Sequence, residues 1–162
     1  MHKSYELRRR DREVLQRERI LDILSRCNCC RLAFSTEDGP YIVPLSFGFE
    51  AAGDDLILYF HSAPEGRKLD CIRAGGPVGF ELDTGYALHP ADNACGYSAA
   101  FQSVIGAGHV DFLMDSAEKE HALNQIMRHY SGRADWDYPQ PMLDRVTIFR
   151  LTVTQLCAKE HL

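Results

Sequence analysis

The chain predicts a small antiparallel β-barrel with flanking helices, mainly β in class. Three observations lead there. About six apolar or alternating runs read as strands, most of them joined by short turn sequences. Only three stretches read as amphipathic helices, so the regular strand–helix alternation of a doubly wound parallel sheet is missing. No Rossmann or Walker glycine pattern occurs. With 162 residues and 45% apolar content, the chain suits one domain, 1–162, around one sizeable core.

In order, Asp11 to Arg26 reads as an N-terminal helix, about 11–26, whose apolar face carries Val14, Leu15, Ile20, Leu21, Ile23 and Leu24. Cys30 to Phe34 reads as a short strand. Glu37-Asp38-Gly39-Pro40 has the chemistry to reverse it into a hairpin partner, Tyr41 to Phe49. Pro44 cannot donate to a ladder, which sets that part of the strand at an edge, a bulge or an opening. Gly53-Asp54-Asp55 turns the chain into a strand ending at Phe60, and Ser62 with Glu65 reads as a capping box for a helix from Ala63 to about Ala74. Val78 to Leu82 starts another strand, Asp83 to Ala100 reads as a loop, and Gln102 to Phe112 as a strand. There Gly106 and Gly108 bare one face for a backbone or a flat ligand. Asp115 and Glu118 cap a helix with Ala122, Leu123, Ile126, Met127 and Tyr130 as its stripe, ended by Gly132. A proline-bounded loop at 135–141 precedes a last strand, Val146 to Val153.

Arg67 and Lys68 sit where the positive end of a helix macrodipole disfavours cations, by a few tenths to about 1 kcal/mol for each exposed charge. Free amides at a helix start, a planar arginine fork and a lysine point charge together suit a phosphate monoester.

A net charge of -5 argues against a nucleic-acid binder. Arg8, Arg9, Arg10, Arg12, Arg17 and Arg19 are interleaved with Asp11, Glu13 and Glu18, as on a solvated helix face. No apolar run spans a membrane or follows the basic start as a signal core, so a cytoplasmic protein is expected. Six cysteines lack paired zinc spacing and read as reduced thiols, with no metal site expected. His121 and His129 read as exposed on their helix, and Trp136 as a plug over the barrel mouth.

Four ordered blocks are familiar: Cys30-Arg31-Leu32-Ala33-Phe34, Pro40 to Glu50, Leu58 to Lys68, and Ser103-Val104-Ile105-Gly106-Ala107-Gly108. Together they closely resemble the Nim-type (5-nitroimidazole resistance-like) flavin-binding proteins, within the pyridoxamine 5'-phosphate oxidase-like family of FMN-binding split barrels. The resemblance covers Asp11 to about Lys159. It implies a six-stranded split β-barrel and a homodimer with FMN at the subunit interface. By position, Arg67 and Lys68 match the phosphate pair. Val43, Pro44, Leu45 and Ser46 match the strand along the isoalloxazine ring. His61 and Ser62 match the strand end beside ring and ribityl chain, and Gln102 and Ser103 match positions that reach the flavin, from the partner subunit or its own.

His61 is nominated as a catalytic proton donor, against the plainer role of closing a strand by bonding to backbone. The tail Leu151 to Leu162 lacks the Arg-x-His-x-Arg segment that holds substrate phosphate in authentic pyridoxamine phosphate oxidases, which speaks against vitamin B6 oxidation. The implied function is FMN-dependent reduction of a small flat electrophile such as a nitroaromatic, with NAD(P)H or another donor. The alternatives are a non-catalytic flavin carrier or sensor, and a haem-binding protein on the same barrel with His61 as ligand.

Overall fold

The computed structural model describes residues 9–162, so Arg8 of the arginine cluster lies outside the described residues. A 3-10 turn at Arg10–Arg12 leads into β1 (Glu13–Val14), α1 (Arg17–Arg26), β2 (Cys30–Thr36), β3 (Gly39–Leu45), β4 (Gly48–Ala52) and β5 (Asp55–Ser62). Then follow α2 (Arg67–Ala74), β6 (Val78–His89), a 3-10 turn at Ala94–Gly96, β7 (Ser98–Leu113), α3 (Ser116–Ser131), α4 (Gln140–Arg145) and β8 (Thr147–His161).

All ladders are antiparallel, in the order β3-β2-β6-β7-β8-β5-β4, with β1 added along β8. The outermost strands β3 and β4 are consecutive in sequence, joined through Ser46 and Phe47 alone. Three Cα steps reach at most about 11 Å, so the sheet has to curl until its two ends nearly meet. No ladder joins β3 to β4, and the curled sheet stays open along that seam, as a split barrel does.

Leu32, Phe34, Leu58, Phe60, Leu82, Val104, Phe149 and Leu151 fill the inside, where α1 adds Ile23 and Leu24 and α2 adds Leu69 and Ile72. Outside, α3 lies over β4 and β5 and buries Ala122 and Ile126 against Tyr59, Leu113 and Ile148. At about 25 cal/mol per Å² of apolar surface, burial of such side chains is the main stabilising contribution. Asp115 caps α3 by accepting from the Ala117 and Glu118 amides at 2.9 and 3.1 Å, and Gly132 ends it in the left-handed region at φ 72°.

Several expected boundaries move. Eight strands form instead of six, because Glu13–Val14 pairs with Lys159 and Ala158, and because 41–49 breaks at Ser46-Phe47 into β3 and β4. The first helix accordingly begins at Arg17. The expected loop at 83–100 is mostly a ribbon of β6 and β7, closed by the 3-10 turn and kinked by a bulge between Thr84 and Ala87. The last strand runs to His161 and not to Val153. At Gly106 and Gly108 it is a neighbouring backbone that approaches closely. A Cβ at Gly106 would meet Phe80 and the Gln155 carbonyl, and one at Gly108 would meet the Thr152 carbonyl and Leu151. Trp136 is no plug: Asn124 brackets its backbone on α3 with hydrogen bonds of 3.1 Å, and Arg133 stacks on its ring at 4.1 Å. His129 is half-buried, while His121 pairs with Glu50 at 2.8 Å. Among the described residues no helix is long and apolar enough to cross a membrane.

Candidate functional site

Helix α2 starts four residues later than its sequence suggests. Ser62 is the last residue of β5, not a cap, and the N-cap is Gly66 at φ 139°, with no side chain bonded to the first turn. Nothing lies within 4 Å of the Cβ position at Gly66, so a side chain there would project into open space. A ligand could approach its first amides there. Ser62 is buried, yet its Oγ has no hydrogen-bond partner. A buried hydroxyl with nothing to bond is costly.

Arg67 supplies the charge. Its guanidinium lies over the Tyr41 ring at 4.9 Å and reaches Asp38 at 3.5 Å, both side chains of that ion pair being exposed. Such a pair contributes little and is easily exchanged for a stronger anion. Lys68 is half-exposed beside it. The contact with Tyr41 places the cations at the start of β3. Val43 to Ser46 lie two to five residues further on, about 7–17 Å along an extended strand.

On β3 the side chains alternate: Val43 and Leu45 pack toward the core, while Pro44 and Ser46 are exposed. As an end strand, β3 bonds to β2 on one side only, so its backbone groups on the other side are free. Pro44 thus stands at an edge, opposite Arg31. At the end of β5 the same alternation turns His61 outward and exposed while Ser62 points in.

Gln102 and Ser103 are elsewhere, on β7, separated from β3 by β2 and β6. Gln102 is buried and fully engaged. Its Oε1 accepts from Arg26 at 2.7 Å and its Nε2 donates to Glu160 at 2.8 Å, while Arg19 donates to the same carboxylate at 2.7 Å. The Arg19 bond, then Gln102, holds the Glu160 carboxyl below its ordinary range. Ser103 alternates onto the same face of β7 as Ile105, and Ile105 lines a hollow of about 490 Å³ with Arg31, Ala33, Ile42, Gly79 and Glu81. Within one chain, then, the structure joins the α2 start to β3 and leaves Gln102 and Ser103 apart. Sequence reasoning missed Asp38 and Tyr41 as partners of Arg67, since their proximity comes from the docking of α2 against β2.

The sequence profile of a family described as pyridoxamine 5'-phosphate oxidase matches residues 16–160. No match was found among curated proteins. Among solved structures, the chain is similar to a candidate 5-nitroimidazole antibiotic resistance protein from Bacteroides thetaiotaomicron VPI-5482, at 32% identity and a TM-score of 0.78. That match covers 91% of this chain and 86% of the other. A flavocytochrome from Azotobacter vinelandii has a TM-score of 0.78 at 16% identity, over 98% of this chain and 73% of its own. A FAD and heme binding protein from Mycobacterium smegmatis has a TM-score of 0.76 at 20% identity, over 92% and 73% respectively. The last two likenesses speak for the fold.

Proposed function

The chain belongs to the pyridoxamine 5'-phosphate oxidase family, and on that premise we propose that it binds FMN and uses it to reduce a small flat electrophile such as a nitroaromatic. One observation carries the reading: a helix start with no side-chain cap, two cations on it and, four residues before its N-cap, a buried hydroxyl without a partner. Arg67 exchanges its exposed pair with Asp38 for the terminal phosphate, Lys68 adds a second charge, and the Ser62 Oγ–H donates to the ligand. The free edge of β3 from Val43 to Ser46 offers backbone groups to the isoalloxazine, and the missing N–H of Pro44 costs nothing at an edge. The flavin supplies the redox chemistry once bound. His61, exposed at the strand end, delivers a proton from its imidazole to the reduced substrate.

The partner in this reading is a second copy of the chain. The outer faces of β3, β2, β6 and β7 carry Ile42, Ala33, Gly79 and Ile105 with no helix over them among the described residues, and a two-fold contact there would bring the partner's β7 toward this subunit's β3. Ser103 sits on that face, which suits a contact across the interface, whereas Gln102 acts through its network with Arg26 and Glu160.

The test is an absorption spectrum and FMN titration of the purified protein, alone and with NADH or NADPH added anaerobically. Flavin bands that bleach with a donor support the reductase, and bands that stay oxidised favour a carrier or sensor. A Soret band would replace flavin with haem. Arg67→Ala with Lys68→Ala should weaken FMN binding by about 10²–10⁴-fold, at roughly 1.5–3 kcal/mol for each hydrogen bond to a charged group. Unchanged affinity would remove the phosphate assignment.

A further inference from the structure

The β2–β3 ladder runs in unbroken register from Thr36↔Gly39 to Cys30↔Leu45 and then stops. Continued by two residues, that register would pair Asn28 with Phe47. No such pair forms. Instead the Phe47 N–H donates to the Tyr130 hydroxyl at 3.1 Å, and the same hydroxyl donates to the Asn28 carbonyl at 3.0 Å. A direct ladder bond at this point would bring nitrogen and oxygen to about 2.9 Å. The hydroxyl from α3 occupies the position of that bond and holds the two strands one oxygen further apart.

The surrounding contacts hold the hydroxyl in place. Phe47 is fully buried, and its ring centroid lies 4.3 Å from that of His129, whose Nε2 is 2.7 Å from the Cys27 carbonyl. The backbone at Gly48 passes so close to α3 that a Cβ would fall on the backbone of Gln125 and Ile126. Residues 125–130 thus touch both strands of the hairpin just beyond its last pair: 27–28 before β2 and 47–48 after β3. This is where the chain leaves β3 for the opposite end of the sheet, and no ladder between β3 and β4 fixes how far apart the two strands stand.

We propose that Tyr130 is a positioning residue: its hydroxyl acts as a wedge that ends the β2–β3 ladder and ties that end of the hairpin to α3, which lies over β4, so that it fixes where β3 stands at the seam and thereby places the edge of β3 from Pro44 to Ser46 for the cofactor. The cofactor half rests on the flavin reading above; the seam half does not. Tyr130 itself does not touch the ligand in this account. Its removal changes where the backbone groups of Leu45 and Ser46 stand.

The test compares the wild-type protein with Tyr130→Phe, which keeps the ring and deletes the wedge. Amide hydrogen exchange on the protein without flavin reads the seam. The wild-type Phe47 amide should be protected, and its exchange should quicken at least about tenfold in the variant. A wild-type Phe47 amide that exchanges as freely as an unbonded one would overturn the wedge, and this reading does not depend on the variant folding. FMN titration and redox potentiometry read the cofactor half. The variant should bind FMN about tenfold more weakly, with a shifted visible spectrum and midpoint potential in the fraction that binds. A lower melting temperature with unchanged affinity, spectrum and potential would make Tyr130 merely structural and overturn the positioning role. Wild-type protein that binds no FMN overturns the flavin reading instead, and leaves the wedge to be decided by exchange alone.

Discussion

Ser62 and His129 illustrate how a single side chain changes its meaning once its neighbours are known. As a helix cap, Ser62 would contribute about 1 kcal/mol through its hydroxyl, but that hydroxyl bonds to nothing in the chain. Ser62→Ala should therefore leave the urea midpoint of the flavin-free protein unchanged or raised, and weaken FMN binding several-fold. A marked loss of stability without flavin would restore the cap. His129 packs between Phe47 and Phe49 and bonds to the Cys27 carbonyl, and its burial holds the imidazole below its ordinary value. The unfolded chain takes up this proton more readily than the folded one, so the contribution is complete above the ordinary value of about 6.5 and is lost as pH falls below it toward the depressed folded value. Melting temperatures across that range should fall with acid in the wild type and less steeply in His129→Gln. Glu50 adds to the same trend: its bonds from His121 and then Tyr59 hold its carboxyl low, a contribution lost only at more acid pH.

At the scale of elements, local signals succeed where the partner is the element's own backbone. The Asp115 cap and the Gly132 stop of α3 are readable because both act within one turn. Asp115→Ala should cost about 1 kcal/mol in denaturant unfolding, and no change would mean that the end of α3 is held by tertiary packing. The ribbon formed by β6 and β7 shows the opposite case. Gly85, Tyr86, Pro90 and Asn93 give the segment the composition of a loop, yet Ala87 to His89 pair with Ser98 to Ala100 as extensions of strands that are already in register. Likewise β1 exists only because β8 runs past it. A two-residue strand has no periodicity to read.

For the whole molecule, closure depends on connectivity: a two-residue link between the end strands forces the sheet to curl, and the lack of a ladder across them keeps it split. On the outside α3 lies over β4 and β5; among the described residues no helix lies over the face with Ile42 and Ile105. Ile105→Glu should turn a dimer into a monomer in analytical ultracentrifugation and lower flavin affinity with it, since the proposed site spans two copies. A variant that remains dimeric and binds FMN normally would move the interface elsewhere.

The sequence by itself determined the class of fold, the hairpin turn at Glu37 to Pro40, that Pro44 breaks the ladder at an edge, a bulge or an opening, the start and stop of α3 and the paired cations Arg67 and Lys68. Each of these is a local matter of turn chemistry, a missing N–H, a cap or a charge at a helix start. Only the tertiary structure decided that Ser62 is an orphan rather than a cap, that Arg67 lies over Tyr41, that Gln102 is committed to Arg26 and Glu160, and that Tyr130 stands between Phe47 and Asn28. Those facts join residues as much as 102 positions apart, and no spacing in the chain encodes a distance across the barrel. Packing of α1 on β7, of α2 on β2 and of α3 on β4 brings these partners together.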